Sequence, residues 1–150
     1  MTTTDQDVIQ KEIIINASPE RVYNAITDPE KIVAWFPNAV EGSIAVGERP
    51  VFDFGEHGKN QIYIVDAKPH EYFAYRWVPG SNHFMGDVLT VANTLVEFFI
   101  TADGAGTKVV LKESGFDSLP ADIQEKRMSE NTRGWAYMMG RLEKVFTPNQ

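Results

Sequence analysis

The sequence contains no cysteine and no long hydrophobic run. Without thiols, disulfide bonds and thiolate chemistry are excluded. No apolar stretch approaches the roughly 20 residues that a membrane-spanning helix needs. The first residues, MTTTDQD, also lack the basic start and apolar stretch of a signal peptide. We therefore expect a cytoplasmic protein that does not insert into a membrane.

Basic residues are scarce relative to acidic ones. The chain has 14 Lys and Arg against 21 Asp and Glu, which gives a net charge of −7. Proteins that bind nucleic acids need a basic face, because phosphate neutralisation supplies most of their affinity. We expect no nucleic-acid partner, and the acidic surface is explained by solubility.

Motifs for metals, phosphates and nucleophilic catalysis are missing as well. The histidines are His57, His70 and His83, and no two share the spacing of metal ligands on one element. His57 and His70 fall in turn-like segments and are expected to be solvated, whereas His83 lies beside apolar residues in a long loop. Neither a Gly-rich phosphate loop nor a G-x-S-x-G elbow is present. We expect no metal and no cofactor.

The residues that are present predict a single domain over 1–150, with an ordered core of about 8–146. Residues 7–16 alternate as a strand. Ser18 is a good N-cap for a helix that begins at Pro19 and ends before the next proline. A short helix over Pro29–Trp35 should follow.

The middle of the chain reads as a series of strands joined by short turns. Short connections favour antiparallel pairing of neighbours. The predicted strands are Ala39–Ile44, Pro50–Phe54, Gln61–Ala67, Tyr72–Val78, Thr94–Thr101 and Thr107–Glu113. The loop Gly80–Asn93 carries many apolar groups, and we expect a helical turn in it.

A long amphipathic helix is predicted over 120–146, capped by Ser118 or Leu119. Its stripe is Met128, Asn131, Trp135, Met138, Leu142 and Val145, at spacings of three and four. Gly134 and Gly140 weaken the helix, and close approach to other backbone would compensate for them.

This order of elements predicts an α+β fold. A curved antiparallel sheet of six to seven strands would wrap around the C-terminal helix, with two short helices after the first strand. Because the sheet twists and the helix is straight, a gap between them would form a ligand cavity.

The chain resembles the START-like (SRPBCC, birch-pollen-allergen-like) helix-grip superfamily, in the branch related to the C-terminal domain of the activator of the 90-kDa heat-shock-protein ATPase. The resemblance rests on ASPERVYNAITDPEKIVAWF, EYFAYRWVPG, TLVEFFI with GTKVVLKESGF, and NTRGWAYMMGRLEKVF. It implies the helix-grip fold. It also implies a range of roles: members bind lipids, sterols or polyketides, act as cyclases, or contact chaperones. Pro50 departs from the family pattern and indicates a strand-start or edge position.

Alternation within the strands assigns an inward set of aromatic and apolar residues. Together with the helix stripe, this set predicts a pocket with a volume of about 300 Å³ or more. The predicted pocket residues are Phe52, Phe54, Tyr75, Trp77, Phe98, Leu111, Glu113, Met128, Asn131, Trp135 and Met138.

We assign no catalytic residue; the candidate is Glu113, which an enzyme would pair with Tyr63, Tyr75 or His83 for acid–base chemistry. Lys108 and Lys112 share the wet face of their strand, so Glu113 should face inward. It would act as a general acid or base, bind a polar group of a ligand, or pair structurally with an Arg or Tyr. Asn131 would bind either ligand atoms or polar groups of the sheet.

Three functions remain open. The first is a binding protein for an unidentified hydrophobic small molecule, either a lipid or an aromatic, polyketide-like compound. The second is a cyclase or hydratase, which would need polar groups that converge inside the cavity. The third is a chaperone-activator-like interaction module, which would have a small cavity and an exposed apolar patch.

Overall fold

The computed structural model describes residues 8–80 and 85–146. The elements are β1 (Val8–Ile15), α1 (Pro19–Thr27), α2 (Pro29–Ile32), β2 (Ala39–Glu41), β3 (Val51–Asp53), β4 (Lys59–Gln61), β5 (Tyr63–Lys68), β6 (Tyr72–Trp77), β7 (Thr94–Asp103), β8 (Gly106–Ser114) and α3 (Gln124–Val145). Single 3₁₀ turns cover Gly55–His57, Val88–Thr90 and Phe116–Ser118. Among the helices of these described ranges, none has the length and apolar composition of a bilayer span.

Capping residues define the two short helices. The Ser18 side chain accepts a hydrogen bond from the Arg21 backbone N–H at 3.3 Å, as an N-cap does. Asp28 ends α1 and then caps α2 through the Glu30 N–H at 2.9 Å. Helix α2 ends at Ile32, earlier than the predicted Trp35. The Trp35 indole instead turns inward and donates to the Ala25 carbonyl of α1 at 2.9 Å.

The predicted antiparallel meander is confirmed, but the strands divide between two sheets. One sheet has five strands in the order β1-β8-β7-β6-β5, and the other has three in the order β2-β3-β4. The predicted strand Gln61–Ala67 divides at Ile62, whose N–H donates to the Pro50 carbonyl at 2.9 Å. Residues before this point pair with β3, and residues after it pair with β6.

Helix α3 begins later than predicted, at Gln124. The preceding segment forms a 3₁₀ turn anchored by the buried side chains of Phe116 and Leu119. Ser118 does not cap the helix, because its hydroxyl donates instead to the carbonyl of Gly115 and to that of Asn93, which precedes β7. Pro120 therefore lies in the approach to the helix.

The long helix packs on the concave side of the larger sheet and contacts β1, which confirms the helix-grip architecture. Its fully buried side chains are Trp135, Met139 and Leu142. Val145, predicted in the stripe, is exposed, because a period of 3.6 residues carries the buried face toward Phe146 instead.

The explanation predicted for the helix glycines is wrong. A Cβ atom built on Gly134 or Gly140 meets nothing within 4 Å, so neither glycine serves a close backbone approach. The helical turn predicted in the loop Gly80–Asn93 is confirmed as the 3₁₀ turn that Asp87 caps. His83, in the same loop, lies outside the described residues.

Candidate functional site

A pocket of about 190 Å³ lies between α3 and the strand ends at one side of the molecule. It is smaller than the roughly 300 Å³ predicted from the sequence. Its lining residues are Phe36, Phe54, His57, Asn60, Trp77, Val78, Pro79, Gly80, Asn131, Gly134, Trp135 and Met138. The rim includes the exposed residues His57, Gly80 and Gly134, so the pocket opens to solvent.

Aromatic rings form most of the wall. Phe36, which follows α2, lies 5.9 Å from Trp77 of β6 and 5.2 Å from Trp135 of α3, between ring centroids. The two indoles are 5.8 Å apart. Phe54 completes the group at 5.3 Å from Phe36. Elements distant in the sequence therefore meet in one aromatic cluster at the pocket.

Glu113 stands directly behind this wall and is completely buried. Its carboxylate accepts hydrogen bonds from the indole N–H groups of Trp77 at 2.9 Å and Trp135 at 2.8 Å. The Thr94 hydroxyl donates at 2.6 Å. Its partners among the described residues are neutral donors, which differs from the Arg or Tyr pairing considered above. All of them donate to the carboxylate oxygens.

The same carboxylate orients Asn131. The Asn131 Nδ2 donates to both carboxylate oxygens, at 2.9 and 3.1 Å. A carboxylate accepts only, so the amide nitrogen must face it and the Oδ1 must turn away. Of the two partners predicted for Asn131, the structure therefore shows the one on the sheet. Its Oδ1 accepts no hydrogen bond from the described part of the chain.

Asn60 is a lining residue that sequence reasoning missed. It lies in β4 opposite Phe52 and is only 6% exposed. Its buried Oδ1 has no hydrogen-bond partner among residues 8–80 and 85–146. A period-two signal was available, because Asn60 continues the buried alternation of Ile62 and Ile64 toward the N-terminus.

Two glycines shape the opening. Gly134 leaves open space where a side chain on α3 would project. Gly80 has φ +77° and lies against the Arg127 side chain, which a Cβ atom would strike. The chain after β6 can therefore approach α3 closely only with glycine at this position.

The structure brings part of the predicted pocket set together. Phe54, Trp77, Asn131, Trp135 and Met138 line the pocket. By contrast, Phe52, Tyr75, Phe98 and Leu111 are fully buried and lie outside the lining. The Phe52 and Tyr75 rings pack edge to face at 6.0 Å, and these four buried side chains fill space that the sequence assigned to a cavity.

Two other predicted residues, Met128 and Glu113, do not line the pocket. Met128 is partly buried at the edge of the core, and Glu113 contacts the lining residues from behind. Phe36 and Asn60 line the pocket but were not in the predicted pocket set. Of the histidines, His57 is exposed at the rim and His70 is exposed against the Tyr23 ring.

Tyr75 carries a second orphaned polar atom. Its hydroxyl is completely buried and has no partner among the described residues. Burial, and to a lesser extent the negative charge of Glu113, raises the pKa of Tyr75 well above its ordinary value. The phenol therefore stays protonated at neutral pH and is unsuited to act as a base.

Several solved structures share this fold. Protein MLL2253 from Mesorhizobium loti has a TM-score of 0.75 and 23% identity, with 92% of this chain and 95% of that chain covered. The Aha1 dimer from Colwellia psychrerythraea has a TM-score of 0.73 and 20% identity, with 93% and 95% covered. DynU16, a protein of the dynemicin biosynthetic locus, has a TM-score of 0.74 and 22% identity; 92% of this chain is covered, and it spans 46% of DynU16.

At these identities the structural likeness establishes the fold alone. A comparison with curated proteins found no match. The family model described as Activator of Hsp90 ATPase homolog 1-like protein matches residues 16–147, which is most of the sequence. The chain therefore belongs to the family of Activator of Hsp90 ATPase homolog 1-like proteins.

Proposed function

We propose that this protein binds a small hydrophobic molecule of one or two aromatic rings in the pocket between α3 and the sheet. The observation that carries the proposal is the aromatic wall around an open volume of about 190 Å³. Trp77 and Trp135 are held in place through their bonds to Glu113. A wall fixed in this way is organised before a ligand arrives, which lowers the entropy cost of binding.

The volume sets the size of the ligand. An apolar cavity of about 150 Å³ in another protein binds benzene. A pocket of 190 Å³ therefore suits one or two rings. It is too small to enclose a sterol or a long acyl chain, since sites for larger ligands span roughly 300–1,000 Å³. This size favours the aromatic class over the lipid class of ligands.

The arrangement gives less support to a cyclase or hydratase. Glu113 is 0% exposed and its oxygens are occupied by neighbouring donors. Tyr75 does not line the pocket. Within the described residues, His57 at the solvated rim is the titratable side chain of the lining. Among residues 8–80 and 85–146, no acid and base side chains face a common substrate position.

An interaction module remains the second candidate. Two observations favour it: the cavity is smaller than expected, and Met85, Leu89 and Val91 expose 48%, 46% and 42% of their surface. These side chains lie close together along one loop. This candidate takes first place if the pocket accepts no ligand.

Binding of toluene and indole tests the proposal directly. We expect both probes to shift the NMR signals of the Trp77 and Trp135 indole N–H groups and to raise the melting temperature. A free probe concentration of 100 times Kd adds about 2.7 kcal/mol to the free energy of unfolding, which corresponds to a shift of about 5–10 °C for a domain of this size.

A matched pair of helix variants locates the binding. Gly134→Leu should fill the pocket mouth and abolish the shifts, whereas Gly140→Leu, which changes the same helix away from the lining, should preserve them. The proposal fails if neither probe perturbs the wild-type indole signals, or if both variants bind equally well.

A further inference from the structure

Two side-chain amides of the pocket lining have an oxygen that lacks a hydrogen-bond donor among the described residues. Asn60 is more than nine-tenths buried, and its Oδ1 has no partner in the described structure. An acceptor buried in this way costs free energy unless a donor reaches it. As a residue of the pocket lining, Asn60 can meet that donor in a bound molecule.

Asn131 supplies a second acceptor. Its Nδ2 is committed to Glu113 at 2.9 and 3.1 Å, so its free polar atom is the Oδ1. Asn131 also lines the pocket. Two side-chain amides, one from β4 and one from α3, therefore line the same pocket and each has an oxygen that lacks a donor among the described residues. A ligand that donates hydrogen bonds would supply the missing donor.

The electrostatic surroundings of the pocket are negative. Glu113 is bonded to Trp77, Asn131 and Trp135, so its charge lies one side chain behind the wall. Its bonded partners are neutral, and no Lys or Arg is among the described lining residues. Charges interact more strongly in such a partly desolvated site than in water.

The charged groups near the rim do not make the electrostatic surroundings of the pocket positive. Arg127 lies against Gly80 and its buried Nε has no partner among the described residues, but its Nη1 is paired with Glu130 at 3.0 Å. His57 is largely solvated and lies 3.9 Å from Glu56. The whole chain carries a net charge of −7, which also draws cations toward it.

The aromatic wall of the pocket also favours a positively charged ligand. Trp77 and Trp135 direct their N–H edges at Glu113, which leaves ring carbons and π faces to border the pocket. The face of an aromatic ring attracts a cation, most strongly for Trp. Amide oxygens, π faces and a buried carboxylate together form surroundings suited to an ammonium group.

We propose that the ligand of this pocket is a small aromatic amine bound in its protonated form, with its ammonium group donating to Asn60 and Asn131. This inference rests on the proposed function and names the chemical class of the ligand. It also excludes carboxylates, and hence fatty acids, by charge as well as by size.

Four probes of matched size test which ligand charge the pocket prefers. Benzylamine, benzyl alcohol, toluene and benzoate share one ring and differ in the group attached to it. Titrations followed by the Trp77 and Trp135 indole signals at pH 7 should rank benzylamine first, about tenfold tighter than benzyl alcohol. Toluene should bind more weakly than benzyl alcohol, and benzoate should show no binding.

The variant Asn60→Leu tests the assigned acceptor. It should weaken the binding of benzylamine and of benzyl alcohol by about tenfold each, because the donor group of each ligand loses its hydrogen-bond partner. Toluene should bind as before or more tightly, which also shows that the variant is folded. Gly134→Leu should abolish binding of every probe.

The results separate this inference from the proposed function. If toluene binds as tightly as benzylamine, or if benzoate binds best, the amine assignment is overturned while the pocket remains a binding site. If Asn60→Leu leaves the preference for benzylamine unchanged, the role of Asn60 is refuted. If no probe binds wild-type protein, the proposed function itself fails.

Discussion

Glu113 joins the pocket wall to the sheet through a set of donors from three elements. Trp77 lies on β6, Thr94 on β7, and Asn131 and Trp135 on α3. A buried carboxylate is tolerated only when its oxygens are satisfied, and here the satisfying groups are also those that shape the site. The stability of the fold and the geometry of the pocket therefore depend on the same side chain.

The substitution Glu113→Gln should destabilise the protein by about 2–4 kcal/mol. The new amide nitrogen cannot accept, so at least one buried donor loses its partner, at about 1–3 kcal/mol each. Urea denaturation measures the loss. Glu97→Gln is the control, because Glu97 is only partly buried and accepts from Tyr72 on the other face. Equal midpoints for the two variants would contradict the role given to Glu113.

Tyr75 and Tyr72 form a contrasting pair on one strand. The Tyr75 hydroxyl is buried without a partner among the described residues, whereas the Tyr72 hydroxyl donates to Glu97 at 2.6 Å. Tyr75→Phe should be neutral or stabilising, because it removes an unsatisfied group. Tyr72→Phe should cost about 1.5 kcal/mol, the lower end for a hydrogen bond to a charged group. Thermal unfolding at pH 7 distinguishes the two.

The difference in stability between Tyr75→Phe and wild type should change with pH. Burial, then the charge of Glu113, raises the pKa of Tyr75 above the ordinary value of 10.0. The folded state therefore holds this proton more tightly than the unfolded state, and stability is lost as pH rises above about 10. The advantage of Tyr75→Phe over wild type should grow between pH 9 and pH 11. A constant difference across this range would mean that the phenol is not desolvated.

At the scale of elements, α3 is anchored by few side chains. Trp135 is 2% exposed and meets both Phe98 of the sheet and Phe36, while Tyr137 on the opposite face is 65% exposed. Trp135→Ala should cost about 3–5 kcal/mol, as large-to-small changes in a core do. Tyr137→Ala should stay within about 0.5 kcal/mol. An unchanged denaturation midpoint for Trp135→Ala would show that the helix is not held by this face.

The helices and strands also show how much of the structure could be predicted from the sequence. Regular alternation in β8 predicted correctly that Glu113 faces inward, since period two holds along an unbroken strand. It did not predict the start of α3, because the buried Phe116 and Leu119 hold the preceding segment as a turn. Nor did it separate β4 from β5, which required the non-local bond from Ile62 to Pro50.

The pocket was harder to predict than the fold for a related reason. Local periodicity determines which residues face inward. Whether their rings surround an open cavity or fill it depends on tertiary packing. Phe98 and Trp135, 6.0 Å apart and nearly perpendicular, belong to the packing that reduced the expected volume. Asn60 was missed because the predicted strand began one residue after it, at Gln61, although the buried alternation of Ile62 and Ile64 extends back to it.

At the scale of the whole molecule, the pocket is completed by an element late in the sequence. Its lining runs from Phe36 to Met138, and the charge behind it comes from β8. Fragments that lack α3 would therefore lack the Asn131 and Trp135 contacts with Glu113. The helix completes both the core and the site.

The pairing of β1 with β8 has a consequence for synthesis of the chain. Residues 8–15 pair along their whole length with 107–114 and have no other strand neighbour. At about 5–20 residues per second, the nascent β1 waits about 5–20 s for its partner. During this time Ile13, Ile14 and Ile15 form an unpaired segment of high β-propensity, of the kind that associates with other chains. A ribosome-bound chain that stalls between β1 and β8 should therefore depend on chaperones that bind unfolded segments. A 1–105 fragment should aggregate and sediment under conditions in which the full chain stays in solution.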